Sequence, residues 1–222
     1  MHFVVFPTAD SMRGYECALK WMRGGYEVLL GLDEGKRIDD PHVYTVELRS
    51  PFAGYYKVIN ELVANALDGG DLVTCIGDDM DPPTQGALHV AEMYFSRFPD
   101  GFGVLQGTGD MQGKDAYGVQ AAARICGSPT FGRGWFERAY GGRGPFHDGY
   151  RSFYADEDLW NVAKKCGVLW LEPSLTIKHL HWSWGHMKQQ PYHARAQENW
   201  TTDRALFFAR QAEGFPGWEP KT

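Results

Sequence analysis

The first hundred residues alternate short apolar strands with amphipathic helices, and this alternation most constrains the fold. Strands are predicted at His2–Phe6, Tyr26–Leu30, Val43–Leu48 and Asp71–Gly77. The helices between them end at paired glycines, Gly24-Gly25 and Gly69-Gly70. Strands and helices that alternate with short connections build a largely parallel sheet with helices on both faces. The sequence therefore predicts an α/β fold whose ligands bind beyond the carboxyl ends of the strands.

Two of these helices have a clear apolar stripe. The first stripe is predicted from Met12, Tyr15, Leu19 and Met22. The second stripe is predicted from Tyr55, Val58, Ile59, Leu62 and Ala66. Each stripe repeats with the period of an α-helix and is expected to face the sheet.

The composition limits the class of protein. The chain has 222 residues, of which 43% are hydrophobic and 14% aromatic, so it can bury a core as one domain and is not a disordered or fibrous protein. The formal net charge of −6 gives no general attraction to a polyanion, although a local basic patch could still bind DNA. Four cysteines without a CxxC pair argue against a zinc knuckle or a dense disulfide framework. No segment approaches the ~18–20 apolar residues that cross a bilayer, and we expect a cytoplasmic protein.

The second half is richer in glycine and aromatic residues. A helix is predicted to begin at Asp156, with strands at Val168–Leu171 and Leu175–Ile177 and a further amphipathic helix from Pro191 to about Glu213. We expect one domain over residues 1–190, with functional halves at 1–100 and 101–190, and a C-terminal helical tail over 191–222.

The segment Asp78-Asp79-Met80-Asp81 follows a buried strand directly. Three carboxylates within four residues repel one another unless a cation neutralises them. Mg²⁺ and Mn²⁺ prefer oxygen ligands and share them readily with a diphosphate. The pattern predicts a metal site, and a solvated acidic turn before Pro82 is the alternative.

Asp156-Glu157-Asp158 is a second acidic cluster, at a predicted helix start. The helix dipole favours carboxylates there, so capping is one interpretation, and a general base that accepts a proton from a hydroxyl is the other. His179 and His181 are two residues apart, so both face one side if the strand continues, and either could complete a metal site.

In their order, these motifs resemble the GT-A glycosyltransferases of the family 2 type, over roughly Phe3 to Trp182. The matching segments are Phe6-Pro7-Thr8, Gly31-Leu32-Asp33, Ile76–Pro82, Gly127–Gly142, Glu157–Trp160 and Leu171–Pro173 with His179. The short chain and the residues of two segments, Pro7-Thr8 and Gly77-Asp78-Asp79-Met80, also resemble small glycosyltransferases encoded by bacteriophages. The resemblance implies a GT-A (Rossmann-like), mixed, mainly parallel sheet. It also implies metal-dependent transfer from a nucleotide sugar, with a UDP-sugar as the expected donor and Mn²⁺ or Mg²⁺ as cofactor.

The resemblance also implies roles for individual residues. Those expected to hold the nucleotide sugar are Pro7, Thr8, Asp10, Asp33, Asp78, Asp79 and Arg133. The expected metal ligands are Asp79, Asp81 and His179, and Asp158 is the expected base, supported by Glu157. The family more often has Asp-x-Asp-Asp at this place. Which two of Asp78, Asp79 and Asp81 contact metal and ribose in this chain therefore stays open. Residues Trp182–Gln190 are expected to form a lid over the donor.

The acceptor stays open between a glycan, a small molecule and a hydroxymethylated pyrimidine in phage DNA. Two other classes fit part of the pattern. A metal-dependent nucleotidyltransferase or phosphohydrolase would share the acidic strand end without needing the Glu157-Asp158 helix start. A non-catalytic module would bind the nucleotide sugar and form no product.

Overall fold

The computed structural model describes residues 1–48, 54–109, 124–180, 186, 188 and 191–217, with the backbone alone for Pro191 and Tyr192. The strands are β1 (His2–Thr8), β2 (Glu27–Asp33), β3 (Tyr44–Leu48), β4 (Leu72–Cys75), β5 (Met80–Asp81), β6 (Val104–Gly107), β7 (Pro129–Gly132), β8 (Leu169–Glu172) and β9 (Lys178–His179). The helices are α1 (Ser11–Arg23), α2 (Tyr55–Gly69), α3 (Ala87–Arg97), α4 (Arg133–Arg138), α5 (Ala155–Lys165), α6 (Pro191–Gln197) and α7 (Trp200–Ala212).

Seven strands form one sheet in the order β3-β2-β1-β4-β7-β6-β8. β7 is antiparallel to both of its neighbours, and the other paired strands of this sheet are parallel. β5 and β9 form a separate antiparallel pair, in which Met80 lies opposite His179. The predicted fold class, a mixed and mainly parallel sheet flanked by helices in a single domain, is confirmed.

Both faces of the sheet are covered, and the alternation of side chains along β1 shows how. Phe3 and Val5 face a large cluster that α2, α4, α5 and α7 complete, whereas Val4 and Phe6 face a cluster built with α1. A third cluster lies between α3 and β6. A central strand buried on both faces explains the continuous apolar run at the start of the chain.

The stripe predicted for α1 is correct only in part. The buried residues of α1 are Gly14, Cys17, Ala18 and Trp21, while Tyr15 and Met22 are partly buried against the same cluster and Met12 is exposed. The reason is close packing, because a Cβ at Gly14 would lie 2.4 Å from the Thr8 side chain. The buried face of α1 therefore combines small residues with Trp21, and the predicted stripe lies beside it.

Three further elements differ from the prediction. β7 was not anticipated, the strand expected at Leu175–Ile177 is replaced by β9, and the expected C-terminal helix is divided into α6 and α7. α7 is packed into the domain and buries Asp203, Phe207 and Arg210. Of the helices in the described ranges, none is long and apolar enough to cross a membrane.

Candidate active site

A cavity of about 420 Å³ opens at the carboxyl ends of the parallel strands. Thr8 reaches it from the end of β1, Asp33 from the end of β2, and Asp78 and Asp79 from the segment after β4. Pro7 lies in the same wall. Because parallel strands end at one edge, residues far apart in sequence meet there.

Asp79 and His179 form the pair in this cavity best suited to a metal. His179 Nε2 lies 3.3 Å from Asp79 Oδ2, and both side chains line the cavity. The β5–β9 pair brings them together, and the Leu180 amide donates to the Asp79 carbonyl at 2.8 Å. Gly77 leaves room for the carboxylate, because a Cβ there would lie 2.5 Å from Asp79 Oδ1.

The donor set of this pair fits Mn²⁺ or Mg²⁺. A carboxylate and an imidazole supply two ligands, and such ions commonly take the remainder from water and substrate phosphates. Within the described ranges, no group of three His, Cys, Asp or Glu side chains is arranged as a metal site. His181, the alternative histidine, lies outside the described residues, as do Trp182 and Trp184 of the expected lid.

Asp78 lies in the cavity wall, but its carboxylate is hydrogen-bonded by other side chains of the protein. Arg13 donates to its Oδ2 at 2.6 Å, and the Thr8 hydroxyl lies 2.7 Å from the same oxygen. Burial raises the pKa of Asp78, and the Arg13 charge opposes that rise. Asp78 is therefore placed to support the acidic turn and to link it to α1.

Two residues expected at the site lie elsewhere. Asp81, an expected metal ligand, points toward α1, where Lys20 donates to its Oδ1 at 2.6 Å. Asp10, expected near the nucleotide sugar, is the N-cap of α1 and accepts from the amides of Met12 and Arg13. The carboxylates of the short acidic run cannot all point into the cavity, which explains Asp81. Asp10 occupies an N-cap position, where the side chain is held at the end of the helix.

Asp156 is the carboxylate that α5 presents to the cavity. Burial raises its pKa, whereas the Glu157 amide and the Tyr56 hydroxyl stabilise the ionised form. His179 is near enough for its charge to lower the pKa of Asp156 as well. A carboxylate with a raised pKa that lines the same cavity as a metal-type pair is suited to accept a proton.

Asp158, the expected base, is not open to a substrate. Its side chain is fully buried and accepts from Tyr140 at 2.9 Å and from Tyr150 at 3.0 Å. Arg210 of α7 donates to both of its oxygens, at 2.5 and 3.2 Å. Glu157, expected to support it, does not line the cavity. The structure thus places Asp158 in the core and Asp156 in the cavity wall.

The periodicity of α5 could have identified this difference. Its buried residues are Ala155, Asp158, Leu159, Val162 and Ala163, so Asp158 belongs to the stripe that packs into the core. Asp156 lies off that stripe, and a side chain at a helix start that avoids the core is free to face a cleft.

Arg133 was expected near the diphosphate, but it lies at the opposite edge of the sheet. β7 is antiparallel to β4, with Gly132 opposite Leu72, so the residue after β7 emerges where the parallel strands begin. There Arg133 donates to the carbonyls of Leu67 and Gly70, at the end of α2.

Besides His179, two basic side chains that line the cavity come from α6. His193 and Arg195 belong to this wall, together with Gln197. No local sequence pattern indicates them, because their place in the cavity wall depends on how α6 packs in the fold. The apolar part of the wall includes Leu48, Val58 and Phe153.

The comparisons with known proteins concern the fold. No protein-family model matches the sequence, and a search of curated proteins finds no match. The chain is similar to the catalytic domain of Drosophila beta1,4galactosyltransferase 7 in complex with xylobiose, with 12% identity over 86% of this chain and 74% of that chain and a TM-score of 0.48. A mutant of that enzyme, in complex with manganese, UDP-Gal and xylobiose, is 10% identical over 88% and 78% of the two chains, with a TM-score of 0.48. A197 from STIV is 12% identical over 80% and 84%, again with a TM-score of 0.48.

Proposed function

We propose that this chain is a metal-dependent glycosyltransferase that moves a sugar from a UDP-sugar to an acceptor hydroxyl with inversion. One observation carries the proposal: Asp79, His179 and Asp156 line the same cavity at the carboxyl ends of the strands. Direct displacement at a sugar carbon requires a metal-type pair and a basic carboxylate in one cavity.

In this mechanism, Asp79 and His179 would hold Mn²⁺ or Mg²⁺, and the bound ion would supply the positive charge that a departing diphosphate needs. Asp156 accepts the proton of the acceptor hydroxyl through its carboxylate. Burial favours the protonated carboxyl, which makes Asp156 a stronger base than an exposed carboxylate. In a direct displacement the acceptor oxygen attacks the sugar carbon on the side opposite the departing diphosphate, so the anomeric configuration would invert.

The donor nucleoside is assigned to the wall formed by β1 and β2. Asp33 lies at the end of β2, with Pro7 and Leu48 beside it in the wall of the cavity. A carboxylate in an apolar slot can accept the ring N–H of uracil, and this supports a UDP-sugar. The acceptor enters from the α5 side, where Asp156 and Phe153 lie.

Calorimetric titration with Mn²⁺ and UDP tests the donor site, with Asp81→Asn as the control for Asp79→Asn. Wild type is expected to bind UDP only with Mn²⁺ present. Asp79→Asn should lose that dependence, while Asp81→Asn should retain it because Asp81 is paired with Lys20 outside the cavity. UDP binding that ignores Mn²⁺ in wild type would contradict the metal assignment.

Product formation separates this proposal from its rivals. Release of UDP from a UDP-sugar, with the sugar recovered on an acceptor, supports transfer. Release of UMP and a sugar phosphate would indicate a phosphohydrolase. Tight, Mn²⁺-dependent UDP binding with no product on glycans, small molecules or hydroxymethylated DNA would indicate a binding module.

A cytoplasmic location is also part of the proposal and is tested by cell fractionation.

A further inference from the structure

The loop between the cavity and α5 is held by a buried carboxylate from the C-terminal helix. Asp203 of α7 is fully buried and accepts hydrogen bonds from three consecutive backbone amides. These are the amides of Arg151 at 3.1 Å, Ser152 at 2.8 Å and Phe153 at 2.9 Å. Successive amides that converge on one anion fix the backbone that carries them.

The opposite side of this loop is fixed by the start of α2. The Tyr56 amide donates to the Arg151 carbonyl at 3.1 Å. Gly54, which has a φ of +106°, permits the close approach, because a Cβ there would lie 2.7 Å from Arg151. The loop is therefore clamped between α2 and α7, which are far apart in sequence.

The clamped residues lead directly into the proposed base. Ser152 and Phe153 line the cavity, and so does Asp156. Between them, Tyr154 has a φ of +65°, a left-handed conformation that a non-glycine residue adopts only when its surroundings impose it. A displaced loop would carry the start of α5 with it, because the Asp158 amide donates to the Tyr154 carbonyl at 2.9 Å.

We propose that Asp203 is a positioning residue that sets the location of Asp156 and of the acceptor side of the cavity. This inference rests on the proposed function, since Asp156 is the base only if the chain transfers sugar. Asp203 touches neither substrate nor metal in this account. Its effect passes through the backbone of residues 151–154, and a displacement of the base by about 1 Å can cost about a hundredfold in rate.

The test compares Asp203→Asn with a variant destabilised elsewhere. In Asp203→Asn the side chain keeps one acceptor oxygen, while its NH₂ group opposes at least one of the three amides. Tyr94→Phe is the matched control, because the Tyr94 hydroxyl is buried and accepts from the Gly132 amide at 2.8 Å, at the opposite edge of the sheet. Both variants lose a buried polar contact, and only one lies near the cavity.

Three quantities are measured for each variant: Mn²⁺-dependent UDP affinity, turnover of UDP-glucose and UDP-galactose, and amide hydrogen exchange. For Asp203→Asn we expect at least a tenfold lower kcat, a UDP affinity and donor KM within twofold of wild type, and at least tenfold faster exchange in residues 151–153. For Tyr94→Phe we expect a lower melting temperature with kcat within twofold. Asn199→Ala gives a milder variant if Asp203→Asn fails to fold, because Asn199 donates to Ser152 Oγ at 3.1 Å; we expect a twofold to fivefold loss of kcat.

Two results would overturn the inference. One is wild-type kcat in Asp203→Asn, or in Asn199→Ala where that variant replaces it. The other is a loss of kcat that follows melting temperature equally in Tyr94→Phe. If wild type binds no UDP and turns over no UDP-sugar, the proposed function fails and the catalytic part of the inference fails with it. Unchanged exchange in residues 151–153 would show separately that Asp203 does not hold the loop.

Discussion

The two acidic clusters, after β4 and at the start of α5, distribute their carboxylates in the same way. Each cluster contains one carboxylate paired with an arginine from another helix, Asp78 with Arg13 and Asp158 with Arg210. Because like charges crowd in both clusters, pairing one of them lowers the repulsion that the others experience.

The remaining carboxylates divide between the cavity and the surroundings. Asp79 and Asp156 line the cavity, whereas Asp81 is paired with Lys20 and Glu157 lies away from the cavity wall. In each cluster, therefore, a single carboxylate other than the arginine-paired one lines the cavity. A run of acidic residues therefore indicates a site without indicating which member acts.

The clusters differ in how deeply the arginine pair is buried. The Asp158 and Arg210 side chains are 0% and 7% exposed, and two tyrosine hydroxyls complete the Asp158 contacts. The Asp78 and Arg13 side chains are 7% and 19% exposed. The α5 cluster is consequently the stronger structural anchor, and the β4 cluster is better placed to respond to a ligand.

The largest expected effect is on activity, in Asp156→Asn. Removal of a general base lowers transfer by about 10²–10⁴-fold, while Mn²⁺-dependent UDP binding should remain. The rate of sugar transfer and the UDP affinity are measured together, with Glu157→Gln as the neighbouring control. Equal losses in both variants would show that the cluster does not single out one carboxylate.

The next largest effect is on stability, in Asp158→Ala. This change leaves Arg210 buried without its carboxylate, and such losses cost about 3–5 kcal/mol. Urea unfolding measures the free energy of unfolding. A loss below about 1 kcal/mol would mean that Asp158 is not the anchor and would return it to consideration as the base.

Much of the fold could be predicted because it follows from local patterns. Apolar runs located β1, β2, β3, β4 and β8, and the stripe of α2 is buried as predicted, apart from the partly buried Tyr55. The rule that ligands bind at the carboxyl edge placed Thr8, Asp33 and Asp79 in one cavity. These expectations need only the period of the sequence and the order of its elements.

The rest depends on contacts between distant segments. The position of Arg133 follows from the direction of β7, a four-residue strand that begins at a proline and has no alternating pattern to announce it. The role of Asp158 depends on Arg210, which lies 52 residues further along the chain. Sequence alone showed that α5 begins with three acids, and tertiary packing decides which of them is neutralised.

A smaller effect is expected for Asp78→Ala, the counterpart of Asp158→Ala in the first cluster. It removes charged hydrogen bonds from Arg13 and Thr8, at a cost of about 1–2 kcal/mol, since Arg13 can regain water. The same urea unfolding measures the loss. A loss that matches that of Asp158→Ala would remove the proposed difference between the two clusters.

The smallest expected effect is a pH dependence that Asp156 and Asp78 share. Burial raises the pKa of each in the folded state, so the folded protein binds more protons than the unfolded chain between the ordinary value of ~3.9 and the raised value. Above that window the buried charge weakens folding, and the penalty disappears as the pH falls through it. Relative to wild type, Asp156→Asn and Asp78→Asn should therefore gain melting temperature as the pH rises from 4 to 7, without added metal. If the melting temperature of Asp156→Asn relative to wild type is flat or falls as the pH rises, the raised pKa of Asp156 is contradicted. If only Asp78→Asn gains melting temperature with pH, the buried charge belongs to the β4 cluster.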